Sequence, residues 1–400
     1  MALSRGTNDY VYLDYAATAP LRKEVLDAML PYMQCGRDAA AFAMNPNSLH
    51  TPGREAFKAL EDARRRMARV LDAGRPNQII FTSGATEADN AALMGIANGV
   101  KRKSTGSVQN PHIIVSTLEH DAVISCSKHL RRSGFDVTYL KPNRDGFIES
   151  SALEKAILPS TVLVSIQMAN SEIGSIQAIE QLCDIAHSHG AYFHTDATQA
   201  LGKTEVHLDE LGVDAASLSA HKVGGPRGVG ALYLRNKVPF EPLLHGGGQE
   251  SDRRSGTQDV AGAVGFAKAC EIAVSEMEDV RDKLTPLRDK LYRDLSGFDR
   301  IQPTVDVEEG SLDYLCNIVN FMIEGIESET SVIRFDSLGF GVSGGSACSS
   351  SSLEASHVLI GMGIKEDEAL GEVRVSMGVD TTREDINAFL LSVPKVLEWK

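Results

Sequence analysis

The chain has 400 residues, 42% of them hydrophobic, enough for a large buried core and about two or three domains. A formal net charge of -14 argues against a duplex nucleic-acid binder, which needs a basic surface to displace counterions from phosphates. No apolar run reaches the roughly 18 residues of a membrane span, and Met1 to Tyr10 lacks the cationic end and apolar stretch of a signal peptide, so a cytoplasmic protein is expected.

Apolar, β-branched stretches of strand length alternate with amphipathic stretches of helix length, the pattern of an α/β protein with a mainly parallel sheet. Strands are predicted at 78–82, 112–116, 136–140, 162–167, 191–195, 215–219 and 230–234, with helices between them at 87–97, 122–132, 151–156 and 179–187. From 260 to 295 the chain reads as long helix, charged on one face and apolar on the other. A smaller mixed domain follows, with strands at 317–322, 340–342 and 373–377 and a last helix from Asp385.

Four places along this pattern carry chemistry. The strand 78–82 runs through Ser83-Gly84-Ala85-Thr86 into a helix, and the free N–H groups of such a start suit a phosphate, although Ser or Thr followed by Glu87 is also an ordinary cap. Asp196 ends a mostly apolar strand, where a buried carboxylate needs a partner; a protonated ring nitrogen would serve, as would a helix start near Ala197. Lys222 follows the strand 215–219 and precedes Gly224-Gly225-Pro226, a setting in which partial desolvation makes an amine nucleophilic, although most lysines are solvated surface charges. Cys348 lies in the Gly/Ser-rich stretch 342–352, where an exposed thiol could travel to a substrate or could be incidental to a linker.

The other five cysteines, Cys35, Cys126, Cys183, Cys270 and Cys316, read as small buried hydrophobes. No two cysteines have C-x-x-C spacing, so neither a metal pair nor a disulfide framework is expected. His187 and His189 read as structural. No G-x-G-x-x-G sits directly between a strand and a helix, which sets aside a nicotinamide-binding oxidoreductase.

In order, Tyr12-Leu-Asp-Tyr-Ala-Ala-Thr18, Asn45-Pro-Asn-Ser48, Phe81-Thr-Ser-Gly-Ala-Thr-Glu-Ala-Asp-Asn90, Glu119-His120, Asp196-Ala-Thr-Gln199, Ser219-Ala-His-Lys222, Arg254-Ser-Gly-Thr257, Ser346-Ala-Cys348 and Arg374 resemble the cysteine desulfurases. These are class V aminotransferases of pyridoxal-phosphate (PLP) fold type I. The resemblance implies a large domain, 18–275, with a seven-stranded sheet and helices on both faces, and a small α+β domain, 276–400 with 1–17, carrying the Cys348 loop. It implies pyridoxal 5'-phosphate bound as an imine to Lys222, its phosphate held by Ala85, Thr86, Ser219 and His221, and by Thr257 from the partner of a homodimer. His120 would stack on the ring and help move protons, Asp196 would pair with the ring nitrogen, and Gln199 would contact the ring hydroxyl. Asn45 and Arg374 would hold the carboxylate of L-cysteine. Lys222 would take the Cα proton, and Cys348 would receive the sulfur as a persulfide and pass it to an acceptor protein for iron–sulfur assembly or tRNA or other thiolation.

One position departs from the family pattern: Ser171 stands where a second asparagine contacting cofactor and substrate is usual, and serine is shorter. No metal and no direct nucleic-acid or membrane partner is expected. A selenocysteine lyase or another class V aminotransferase is the alternative on the same fold, and a catalytically idle PLP-binding scaffold is the alternative outside enzymes.

Overall fold

The structure is a computed structural model that describes residues 10–34, 36, 44–103, 110–345 and 354–398. Twelve strands occur among the described residues. β1 is Val11–Tyr12. Next come β2, Ile79–Thr82; β3, His112–Ser116; β4, Asp136–Leu140; β5, Thr161–Ser165; β6, Tyr192–Asp196; β7, Ala215–Ser219; and β8, Gly230–Leu234. β9, Ile301–Pro303; β10, Ile318–Ile323; β11, Phe340–Gly341; and β12, Glu372–Ser376 complete the set.

β2 to β8 form one seven-stranded sheet in the order β2-β8-β7-β6-β5-β3-β4, in which only β8 runs antiparallel to its neighbours. The seven strands predicted for the large sheet are these seven. Apart from the edge strand β4, they are buried almost throughout, since successive side chains point to opposite faces and both faces are covered. Ile80, Ile113, Val115 and Leu232 pack under the helices Ala85–Lys103 and Asp121–Arg132. Ile79, Phe81, Ile114, Phe193 and Tyr233 face the other layer, which contains Thr51–Val70, Ile179–Ser188 and Val260–Ser275.

β9, β10 and β12 make a separate antiparallel sheet in the order β12-β10-β9, while β1 pairs in parallel with β11, Val11 opposite Phe340. The start of the chain is thereby tied to its last quarter.

Two differences from the sequence expectation concern long helices. Residues 260–295 are two helices, Val260–Ser275 and Met277–Leu295, because Glu276 leaves helical geometry (φ -99°, ψ 0°). Thr51–Val70, a twenty-residue helix, was not anticipated; its buried face alternates small Ala56 and Ala63 with large Leu60 and Met67, set among charges.

Arg64 on that helix solves a problem posed by the sheet. β2 is an edge strand, and an edge exposes unpaired backbone groups. Arg64 donates to the Ile79 carbonyl, and Glu250 accepts from the Phe81 N–H at 3.0 Å. The two side chains also form a two-bond ion pair, 2.5 and 2.9 Å, within the interior. Removing Glu250 breaks this buried pair and leaves the Arg64 guanidinium with the partly exposed Glu61, 3.0 Å from its Nε, a change that costs about 3 kcal/mol. Glu250→Ala is therefore expected to lose stability on that scale in urea unfolding. A loss below about 1 kcal/mol would show that the pair is dispensable.

Candidate active site

In an α/β sheet, ligands bind where the carboxyl ends of parallel strands meet. Here β2, β3, β5, β6 and β7 end around one cavity of about 480 Å³, lined by residues from 16–18, 83–87, 167–171, 196–199, 219–222 and 227–228, together with Asp89, His120 and Arg374.

β2 delivers the turn Ser83-Gly84 and the helix Ala85–Lys103, whose first-turn amides have no acceptor within the helix. Ala85 and Thr86 place this end at the cavity. Gly230 makes the close approach possible, since a Cβ there would lie 2.6 Å from the Gly84 carbonyl carbon. Glu87 fixes the turn by accepting from the Ser83 N–H at 2.8 Å and from Arg254 at 2.8 and 3.2 Å. Burial alone would raise the Glu87 pKa, but Arg254 and Ser83 outweigh it and hold the group below its usual range.

β6 delivers Asp196. No helix starts at Ala197; Asp196 Oδ1 accepts from the Thr198 N–H at 2.9 Å in a turn. Its neighbours Asp89 and Glu119 are acids that burial keeps protonated. Asp89 is raised well above the ordinary range, first by burial and then by the charge of Asp196. Glu119 is pushed to about 8 by burial, despite bonds from Ser116 and the Gln167 N–H.

β7 ends at Ser219, and a single 3-10 turn, Ala220–Lys222, brings Lys222 to the cavity. Its ammonium donates to the carbonyls of Ala16 and Ala17. Burial, followed by the charges of Arg374 and Lys203, lowers the Lys222 pKa to about 8, with Asp196 and Asp14 pulling the other way. His221 is pushed down to about 4, by burial first and then by Lys222, so it is neutral at pH 7; Nδ1 lies 3.2 Å from Thr18 Oγ1.

His120 caps the helix Asp121–Arg132, with Nδ1 accepting from the Ala122 N–H at 3.1 Å. The proton of the neutral ring is therefore on Nε2. Arg374, 2% exposed, donates to Asp14 at 2.9 Å and to the Ser171 carbonyl at 3.0 Å. Gln199 donates to the Ala16 carbonyl at 2.9 Å, and among the described residues its buried Oε1 has no partner.

Ala85, Thr86, His120, Ser171, Asp196, Gln199, Ser219, His221, Lys222 and Arg374 all line this cavity. Asn45 and Thr257 do not. Asn45 is exposed and folds onto its own loop, its Oδ1 accepting from the Asn47 N–H at 2.9 Å and side-chain amide at 3.1 Å. Thr257 is exposed on the surface of the chain. Cys348 and Cys35 lie outside the described residues, whereas Cys126, Cys183, Cys270 and Cys316 are buried thiols. His187 is structural in that it bonds Asp214 at 2.8 Å. The segment 16–18 was not assigned a role, yet its carbonyls hold both Lys222 and Gln199.

The donor set fits one kind of molecule: an anionic group at the amides of 85–86 and Ser219, a cationic ring atom at Asp196, a hydrogen-bond donor at Gln199 and an electrophilic carbon at Lys222. The model of the family described as "Aminotransferase class-V" matches residues 11–389. The chain belongs to the class-V aminotransferase family. Class-V members of this kind are PLP-dependent, and the cavity meets the needs of that cofactor. Among class-V relatives, "Cysteine desulfurase IscS" of Dictyoglomus turgidum is 44% identical over 388 residues, 97% of this chain and 94% of that protein. A solved "NIFS-LIKE PROTEIN" superposes with a TM-score of 0.87 at 35% identity, covering 98% of this chain and all of the other. Another, "SspA in complex with cysteine", gives 0.77 at 35% identity over 92% of this chain and 98% of the other. The class-V fold type, with its seven-stranded sheet, is thus the one expected from the sequence.

Proposed function

We propose that this chain is a PLP-dependent cysteine desulfurase, converting L-cysteine to L-alanine while the sulfur passes to Cys348 as a persulfide. The observation that carries the reading is the single cavity in which a desolvated Lys222 faces the Asp196 carboxylate, with Arg374 at its edge. Ala85, Thr86, Ser219 and His221 would hold the phosphate, His120 and Gln199 the ring, Asp196 the ring nitrogen and Lys222 the aldehyde carbon. When bound, the cofactor supplies an electron sink for negative charge at the substrate Cα.

Arg374 binds the carboxylate of L-cysteine, and Ser171 orients it through a group shorter than asparagine. Lys222, released by the substrate amine, removes the proton at Cα. The Cys348 thiolate forms an S–S bond to the substrate sulfur as the Cβ–S bond breaks, and the Cβ–S electron pair goes to the carbon that is protonated to the alanine methyl group. Asn45 would complete the carboxylate site by turning from its present loop.

Thr257 would reach the phosphate of a second copy in a homodimer, and an acceptor protein would take the sulfur. We also take 18–275 as the large domain and 276–400 with 1–17 as the small one, which the pairing of β1 with β11 supports. Among the described residues no helix is long and apolar enough to cross a membrane.

The test is direct: purified protein loaded with cofactor should form alanine and thiol-releasable sulfur from L-cysteine in equal amounts. Alanine formation is expected to fall about a hundredfold or more in Asp196→Asn, which keeps the shape but removes the charge that favours the electron-poor ring. A variant within about threefold of the parent would dismiss that role for Asp196.

A further inference from the structure

Two glutamates meet in the interior beside the cavity and take no part in the chemistry above. Glu172 follows Ser171, Glu372 lies on β12 two residues before Arg374, and they are 2% and 3% exposed. Asn320 on β10 spans them, its Nδ2 donating to Glu372 Oε1 at 2.6 Å and to the Glu172 carbonyl at 3.1 Å. The Ser356 hydroxyl donates to Glu172 Oε2. Gly345 packs so tightly on Glu372 that a Cβ there would stand 2.5 Å from Oε2.

Two carboxyl groups in contact in a dry interior do not both ionise; they share a proton, and repulsion becomes a carboxyl–carboxylate hydrogen bond. Burial, and then the charge of Glu172, raise Glu372 well above the ordinary glutamate range, against the bond from Asn320 and the charge of Arg374. Burial and the hydrogen bond between the two side chains thus both favour the protonated form of Glu372. Among the described residues, the charged groups that face Glu372 are Glu172 and Arg374, and Arg374 is itself paired with Asp14 at 2.9 Å. Asn320 and Gly345, the other neighbours, are neutral.

We propose that Glu372 is a positioning residue for the substrate carboxylate: the proton it shares with Glu172 holds the Ser171 segment against the strand that carries Arg374. The proposal rests on the reading of Arg374 as the carboxylate-binding residue. Three links join the segment to the small sheet: the glutamate pair, Asn320 to the Glu172 carbonyl, and Arg374 to the Ser171 carbonyl at 3.0 Å. Loss of the shared proton sets two charges against each other, pushes the segment away and withdraws the carbonyl that orients the guanidinium.

The sign follows from linkage. An acid whose pKa is raised by folding contributes stability that is complete below its unfolded pKa and is lost as pH rises toward its folded one. Glu372→Gln keeps a donor for Glu172 and an acceptor for Asn320 but has no proton to lose. In thermal unfolding of the cofactor-free chain, the parent is expected to lose Tm as pH rises above the ordinary glutamate range more steeply than Glu372→Gln. In the loaded enzyme, Glu372→Ala is expected to raise KM for L-cysteine about tenfold at neutral pH with kcat within about threefold. Glu372→Gln should restore KM and abolish its rise at alkaline pH; titration of the substrate itself cancels, because both enzymes meet the same cysteine.

Identical pH dependence of parent and Glu372→Gln in either arm overturns the proposal, as does an unchanged KM in Glu372→Ala. A parent that makes no alanine from cysteine defeats the functional reading alone. The unfolding arm then still decides whether Glu372 carries the proton.

Discussion

Lys222→Ala is expected to lower alanine formation from L-cysteine by about a thousandfold or more, near the upper range for a positioned proton-transfer group. The loss would combine two effects, since on the proposed reading the same amine anchors the cofactor and moves the Cα proton. Protein carrying Lys222 should be yellow and keep its cofactor after borohydride reduction and denaturation; the alanine variant should release it. The pH arm has a definite sign. Only the neutral amine bonds an aldehyde, and burial has brought the Lys222 pKa down to about 8. The rate of covalent cofactor uptake by the free chain should therefore climb about tenfold per pH unit below about 8 and level off above it. A rate flat from about pH 6 upward would mean that the amine is more acidic than its surroundings imply.

Cys348→Ala should separate cofactor chemistry from sulfur transfer. Colour and the cysteine-dependent change in absorbance should survive, because neither uses this thiol. Persulfide and released sulfide should fall by about a thousandfold, since an external thiol at ordinary concentrations replaces a tethered one of far higher effective concentration. Full sulfur transfer from this variant would remove Cys348 from the mechanism and favour a lyase that eliminates sulfur or selenium directly. An unaltered spectrum on adding cysteine to the parent would instead favour the idle scaffold.

The large sheet was legible because its strands are short apolar runs between turn residues, and two covered faces make such runs nearly continuous. The helix Thr51–Val70 was not, although Ala56, Leu60, Ala63 and Met67 recur at helical spacing, because the charges between them keep its average hydrophobicity low. The break at Glu276 was missed for a related reason: helical residues lie on both sides, and only one residue leaves the conformation.

At the site, Lys222, Asp196 and the 83–86 turn were legible individually as residues at strand ends, and collectively by resemblance. The buried acids were harder to foresee. Asp89 and Glu119 acquire their character from burial around Asp196, which no local pattern encodes. Asn45 shows the reverse, a motif position whose side chain is satisfied by its own turn.

The binding chamber is closed by pieces from opposite ends of the polypeptide. Ala16 and Ala17 receive Lys222 and Gln199, and the strand just before them is paired with residues 340–341, while Asp14 is bonded to Arg374. During synthesis residues 11–17 must wait, without their pairing strand and without Arg374, until residues 340–374 have left the ribosome. Loading with vitamin B6 would thus come late, since a nascent chain cut short before 374 would carry Ala85, Thr86, Ser219 and His221 yet lack Arg374 and its bond to Asp14 at the pocket.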